Sequence, residues 1–128
     1  MGIDEPEVAR ITWRDLAARE EGQLRFPESR LVDRAGYNEG QGWGFDHLLR
    51  SAMSQAHWTV DAEPAEVEGW FSQQLTARGW TVHRRHRSAD LDADFYRKGV
   101  AGFILRLWQE DEATHYDFTF SDSSRATS

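Results

Sequence analysis

Two neighbouring side chains near the C-terminus have the residue types needed for proton transfer. His115 and Asp117 are two positions apart in the alternating segment HYDFTFS. Side chains at i and i+2 of a strand point to the same face, so an imidazole and a carboxylate would lie side by side, as acid–base chemistry requires. His57 is expected to face outward from a different strand. These three residues are the candidates for catalysis.

Residues suited to ligand contacts share the face of that histidine and aspartate. Ile104, Arg106 and Trp108 alternate along another predicted strand and combine apolar, charged and aromatic groups. Trp43 lies in the glycine-rich stretch GYNEGQGWG, which predicts a flexible loop over residues 36–44. A purely structural alternative is a cross-strand ion pair between Arg106 and Asp117, with Trp108 shielded by the N-terminal segment.

Other patterns point less clearly to binding chemistry. His83 and His86 are three positions apart on a predicted strand, which sends them to opposite faces, so no metal site is expected. The basic run at residues 84–87 could contact phosphate next to Trp80. However, a net charge of −7 argues against nucleic acid or an anionic membrane as a partner. The GQGWG stretch lacks the spacing of a nucleotide-binding loop, and no cofactor is expected.

The clearest element that could position these residues is a helix within residues 61–80. Pro64 suits the first helical position, and Gly79 suits a left-handed residue after the last turn, with Trp80 folding back on Leu75. The apolar stripe, at i, i+3, i+4 and i+8, consists of Val67, Trp70, Phe71 and Leu75. The opposite, solvated face is predicted to carry Glu68, Ser72, Gln73 and Thr76.

Two alternating segments, residues 102–109 and 115–121, predict a hairpin with a four-residue turn at residues 110–113. On one face this register pairs Phe103 with Phe120, Leu105 with Phe118, and Leu107 with Tyr116. On the other face it pairs Arg106 with Asp117 and Trp108 with His115. The opposite charges support the same register independently.

Three further strands are predicted. In residues 52–61, Ala56, Trp58 and Val60 face inward, whereas His57 and Thr59 face outward. Residues 80–87 form another strand, with Trp80 and Val82 on one face. A strand ending at residues 97–99 completes the set, and a three-residue turn with left-handed Gly99 is favoured there. That turn points Phe95 into the core, whereas a two-residue turn would point Tyr96 there.

The first fifty residues carry weaker signals. Thr12 and Asp15 fit a capping box for a short helix to about residue 21, with Trp13, Leu16 and Ala17 on one side. A brief strand at residues 31–32 follows a turn at residues 26–27. The expected fold class is α+β: one main amphipathic helix packed on one face of an antiparallel sheet of about five strands, plus a short N-terminal helix.

Length and composition predict a single domain over residues 1–121 and a disordered tail at residues 122–128. The absence of cysteine excludes disulfides and thiol catalysis. Residues 1–10 have no apolar region typical of a signal peptide, so a cytoplasmic location without membrane attachment is expected.

Several short segments carry a family resemblance: residues 16–19, 24–27, 64–71 and 75–80, and Phe95 with Arg97 and Gly99. With its PAEVEGWF and LTARGW segments, the chain resembles a group of small actinobacterial proteins, many of them lipoproteins. The group has no established activity, so the resemblance implies no catalytic residue.

Two functional hypotheses follow from the sequence. The first is a non-catalytic binding or interaction module that takes a protein or a small apolar ligand, because aromatic residues are abundant and catalytic motifs are lacking. The alternative is a small cofactor-independent enzyme, for example of a biosynthetic pathway, in which His57 or His115 acts as acid or base.

Overall fold

The computed structural model describes residues 12–37 and 52–122 of the chain. The elements in order are α1 Trp13–Ala18, a 3₁₀ turn Glu21–Gln23, β1 Arg30–Tyr37, β2 Ala52–Val60, α2 Pro64–Ala77, β3 Thr81–Arg87, β4 Asp92–Lys98, β5 Ala101–Glu110 and β6 Ala113–Asp122. Trp43, most of the predicted loop and residues 123–128 of the predicted tail lie outside the described residues.

The strands form one antiparallel sheet in the order β1-β2-β6-β5-β4-β3. The α+β class and the antiparallel sheet are confirmed, but the sheet has six strands rather than about five. The added strand is β1, which spans eight residues where the sequence predicts only a brief strand. Its mixture of charged and apolar residues obscures the alternation, and it takes Gly36 from the predicted loop.

The boundaries of α2 follow the predicted signals. Pro64 occupies the first turn after Glu63, where its missing N–H costs no hydrogen bond. At the other end Gly79 has a φ of 92°. The N–H groups of Gly79 and Trp80 donate to the carbonyls of Thr76 and Leu75, each at 3.0 Å. This bonding pattern is a Schellman ending, which satisfies carbonyls that the helix itself leaves free.

The apolar stripe of α2 packs on one side of the sheet, which we call the inner face. Val67, Phe71 and Leu75 are fully buried. The Phe71 ring lies 5.3 Å from that of Tyr116 and 6.0 Å from that of Phe118. The predicted register is confirmed: the inner face pairs Phe103 with Phe120, Leu105 with Phe118, and Leu107 with Tyr116. Opposing aromatic and aliphatic side chains therefore form one continuous apolar layer.

The segment before β1 covers the rest of this layer. The predicted capping box of Thr12 and Asp15 is present, although α1 ends at residue 18 rather than near 21. Leu16 is fully buried in the same core as α2. The Tyr116 hydroxyl accepts from the Phe26 N–H at 2.9 Å and donates to Ser29 Oγ at 2.7 Å. Both helices therefore lie on the inner face, which leaves the opposite side, the outer face, without a described helix.

The β4–β5 hairpin corrects one prediction. Lys98 pairs with Ala101, so the turn has two residues rather than three. Gly99 is left-handed as predicted, with a φ of 59°, but a left-handed first residue also suits the two-residue turn that matches strand twist. As a result Tyr96 is buried on the inner face, and Phe95 lies on the outer face.

The two glycines of the α2 region test the role of backbone conformation. Gly79→Ala should lower the free energy of unfolding by about 1 kcal/mol, because alanine resists a positive φ. Gly69→Ala is the matched control inside α2. A Cβ at that position meets no atom within 4 Å, so alanine should raise the free energy of unfolding by about 0.5–1 kcal/mol. Urea denaturation measures both, and equal effects would contradict the assigned helix ending.

Candidate functional site

The outer face presents the side chains that alternate with the core residues of the strands. Residues that are opposite one another on neighbouring strands form rows across this face. One row runs from Phe95 through Ile104 and Thr119 to Gln55. The next row contains Arg106, Asp117, His57 and Asp33, and the third contains Trp108, His115 and Thr59. Except for Trp43, the predicted site residues lie in these rows.

The two candidate histidines are in direct contact. His57 on β2 and His115 on β6 bring Nε2 and Nδ1 to 3.0 Å, so one ring donates a hydrogen bond and the other accepts it. The Trp108 ring stacks on His115, with centroids 5.6 Å apart and an interplanar angle of 14°. It also lies 5.2 Å from the His57 ring. The three rings form a half-buried aromatic cluster.

This environment affects the charge of His57. Burial lowers its pKa below the usual 6.5, and the neighbouring His115 lowers it further. The carboxylates of Asp117, Asp33 and Glu110 act in the opposite direction but do not prevail. His57 is therefore neutral at pH 7 and can both accept and donate a proton.

Arg106 and Asp117 form the predicted cross-strand ion pair. Arg106 Nε and Nη2 donate to the two carboxylate oxygens at 2.8 and 2.5 Å, which is the bidentate geometry typical of strong guanidinium–carboxylate pairs. The side chain of Arg106 is half exposed, and its pKa is raised by the hydrogen bonds to Asp117. The pair therefore neutralises itself, and Asp117 is held by Arg106 rather than serving His115.

A shallow polar cleft of about 200 Å³ lies beside this ion pair. The residues that line it include Asp33, Gln55, His57, Arg106, Asp117 and Thr119. Gln55 Nε2 donates to Thr119 Oγ1 at 3.3 Å, which fixes the floor between β2 and β6. The cleft offers several hydrogen-bonding groups to a small molecule, but His115 is not among the residues that line it.

A second depression, which we call the apolar cleft, lies at the β4–β5 end of the same face. Its volume is about 340 Å³. The side chains around it include those of His83, Phe95, Arg97, Val100 and Ile104. Ile104, a predicted ligand-binding residue, is thus part of the apolar cleft, whereas Trp108 is not among the residues that line it.

The position of His83 differs from the prediction. A bulge between Val82 and Arg84 shifts the register of β3 against β4, and the extra residue abolishes strict alternation. His83 borders the apolar cleft of the outer face, and His86 pairs with Ala93, which is also on that face. The two histidines therefore do not point to opposite sides. Within the described ranges, no group of three or more His, Cys, Asp or Glu could hold a metal ion.

One titratable cluster was not apparent from the sequence. Asp94 on β4 is fully buried on the inner face, directly opposite Leu105. Arg87 donates to Asp94 Oδ1 at 2.8 Å and also binds Glu68 of α2. Glu68 is therefore not simply on a solvated helix face, as predicted, but joins α2 to the β3–β4 hairpin. Asp94 shares its strand face with the buried Tyr96, so a carboxylate at a core-facing position becomes apparent only once Tyr96 is known to face inward.

The two carboxyl groups influence each other strongly. Burial, a hydrogen bond to Asp94 and the charge of Asp94 raise the pKa of Glu68 from 4.5 to about 7, against the effect of Arg87 and Arg85. Asp94 Oδ2 is buried without a hydrogen-bond partner among the residues described. A proton on Glu68 gives the buried Asp94 carboxylate an additional donor.

Comparison with known proteins gives no further guide to the site. No protein-family model matches the chain, and no curated protein or solved structure is significantly similar to it. The resemblance to the actinobacterial group stays a prediction. None of the helices within residues 12–37 and 52–122 has both the length and the hydropathy that are needed to span a bilayer.

The raised pKa of Glu68 predicts a specific pH dependence of stability. A protonated Glu68 stabilises the fold, so its contribution is complete below pH 4.5 and is lost as the pH rises through about 7. In the Glu68→Gln variant, the side-chain amide still donates a hydrogen bond but does not titrate. When the pH rises from 5 to 8, the unfolding free energy of the wild type should therefore fall by about 1–2 kcal/mol more than that of the variant. This value is discounted because the Glu68 side chain is partly exposed.

The measurement is urea denaturation of both proteins at the two pH values. Glu66→Gln is the matched control, since Glu66 is an exposed glutamate in the first turn of the same helix. This control should show no comparable change relative to the wild type. A parallel pH dependence of wild type and Glu68→Gln would show that Glu68 does not carry the shared proton.

Proposed function

We propose that the chain is a non-catalytic binding module whose outer face takes up a small apolar ligand. The observation that carries this proposal is the placement of half-buried Ile104 and Trp108 on a sheet face that no described helix covers. Solvent-accessible apolar surface of this kind, next to polar groups of fixed geometry, is typical of ligand sites. A cytoplasmic location also remains a prediction from the sequence.

The polar groups of this face support binding rather than chemistry. Arg106 and Asp117 satisfy each other with two hydrogen bonds, so neither is free to move a proton. Ile104 lines the apolar cleft and is two positions from Arg106 on β5. A ligand whose apolar body lies over Ile104 therefore has polar groups of the same face within reach. A protein partner is the alternative, but two separate concave depressions favour a small molecule.

Indole is a suitable probe for this proposal because it has an apolar body and one donor. In a two-dimensional NMR titration, we expect saturable amide shifts confined to outer-face positions such as Ile104, Thr119 and Gln55. Ile104→Ser should weaken binding at least about fivefold, because the ligand loses apolar contact surface. Val82→Ser is the matched control, since Val82 is 40 % exposed and pairs with Tyr96 on the inner face. Shifts spread evenly over both faces would contradict the proposal.

A specific observation also favours a second candidate function, a cofactor-independent enzyme. His57 lines the polar cleft, is neutral at pH 7 because its pKa is lowered, and contacts His115 at 3.0 Å. A histidine whose ring is oriented by a second hydrogen-bonding group is a common general base. The base would be His57, and His115 would orient its ring.

Hydrolysis of p-nitrophenyl acetate tests this candidate. We expect His57→Gln to remove most of the protein-catalysed rate, by about tenfold or more, because general bases contribute at least this much to catalysis. His86→Gln is the matched control, since His86 is exposed on β3. If the two variants lose activity equally, the reaction reflects exposed imidazoles in general and the enzyme hypothesis is wrong.

A further inference from the structure

The apolar cleft has an unusual composition for the surface of an acidic protein. Its floor consists of the half-buried Phe95 and Ile104 side chains, which lie opposite each other on β4 and β5. Val100 forms one edge and is 66 % exposed, the highest value among the exposed large hydrophobic residues of the described chain. Val100 lies in the two-residue β4–β5 turn, where polar residues and glycine are usual. Apolar surface thus continues from the floor to the rim.

Basic side chains surround the same depression. Arg97 and His83 line it, and the Arg84 guanidinium lies 5.1 Å from the centre of the Phe95 ring. The cation–π contact holds Arg84 above the floor. Within residues 12–37 and 52–122, neither Arg84 nor Arg97 forms a salt bridge. By contrast, Arg85 and Arg87 on the inner side pair with Asp94.

The charge of the whole chain does not prevent local attraction of an anion. The net charge is −7, but exposed charges more than about 8 Å apart are largely screened at physiological ionic strength. At short range the rim is therefore positive. Guanidinium groups match the planar geometry of a carboxylate and bind it with two parallel hydrogen bonds. An apolar floor and a guanidinium rim together match a ligand with an apolar body and one anionic end.

We propose that the apolar cleft binds a small apolar carboxylic acid, with its body over Phe95 and Ile104 and its carboxylate between Arg84 and Arg97. This inference rests on the proposed function and names the ligand class of that face. A volume of about 340 Å³ is at the lower end of the range for ligand pockets, so the ligand is small. His83 adds a further hydrogen-bonding group at the rim.

The probe is 4-phenylbutyrate, and its neutral analogue 4-phenylbutan-1-ol has the same apolar body. Titration of the full chain with 4-phenylbutyrate should give saturable NMR shifts at the amides of Gly99, Val100 and Gly102. The alcohol should bind with an affinity at least about fivefold lower. The double variant Arg84→Gln/Arg97→Gln should lower the affinity for the acid by a similar factor and leave the affinity for the alcohol unchanged. The double variant Arg14→Gln/Arg30→Gln removes the same two charges from exposed positions on α1 and β1, away from the cleft. It is the charge-matched control and should have no effect.

The outcomes separate this inference from the proposed function. Equal affinity for acid and alcohol, or shifts confined to the polar cleft around His57, would contradict the proposed carboxylic-acid ligand. The proposal that the outer face is a binding surface would still stand. If neither 4-phenylbutyrate nor indole shifts outer-face amides, both proposals are wrong.

A second arm distinguishes a free acid from a lipid surface. The chain should not co-sediment with vesicles of phosphatidylglycerol. The assignment to a small acid would be overturned if the wild type co-sediments, the double arginine variant does not, and 4-phenylbutyrate gives no NMR shifts.

Discussion

The packing of Phe71 on the sheet is the contact on which the rest of the structure depends. Its ring meets Tyr116 and Phe118 of β6 and thereby fixes α2 across the centre of the inner face. Because Leu16 of α1 is buried in the same core, the described helices cover only one side of the sheet. The side chains of the outer face therefore do not contribute to this core, and polar and aromatic residues can occupy that face at little cost to packing.

Local patterns were sufficient to predict the parts of the fold built from neighbouring segments. The β5–β6 register follows from alternation, and the pairing of Arg106 with Asp117 supports it independently. The helix ending at Gly79 follows from the need for a left-handed residue. The candidate residues on β5 and β6 were therefore correctly placed on one face. These cases share a property: the decisive partners lie close together in the chain.

The remaining features depend on partners that are distant in sequence or on small differences in backbone geometry. The contact of His57 with His115 requires β2 to pair with β6, which no local pattern specifies. A left-handed Gly99 fits turns of two and of three residues, so it could not decide whether Phe95 or Tyr96 faces inward. Burial of Asp94 becomes intelligible only once Arg87 and Glu68 are known to meet it. Likewise, the alternation of residues in the sequence does not reveal the bulge between Val82 and Arg84.

The strand order has a consequence for the timing of folding. β2 lies between β1 and β6, and its residue His57 meets a partner 58 positions later in the chain. During synthesis, the β2 edge of the β1–β2 pair therefore stays unpaired until β6 has left the ribosome. Pairing at such sequence separations is slow compared with the closure of adjacent hairpins. The β3–β4–β5 meander can form before that, so β6, one of the two central strands of the finished sheet, is the last to be added.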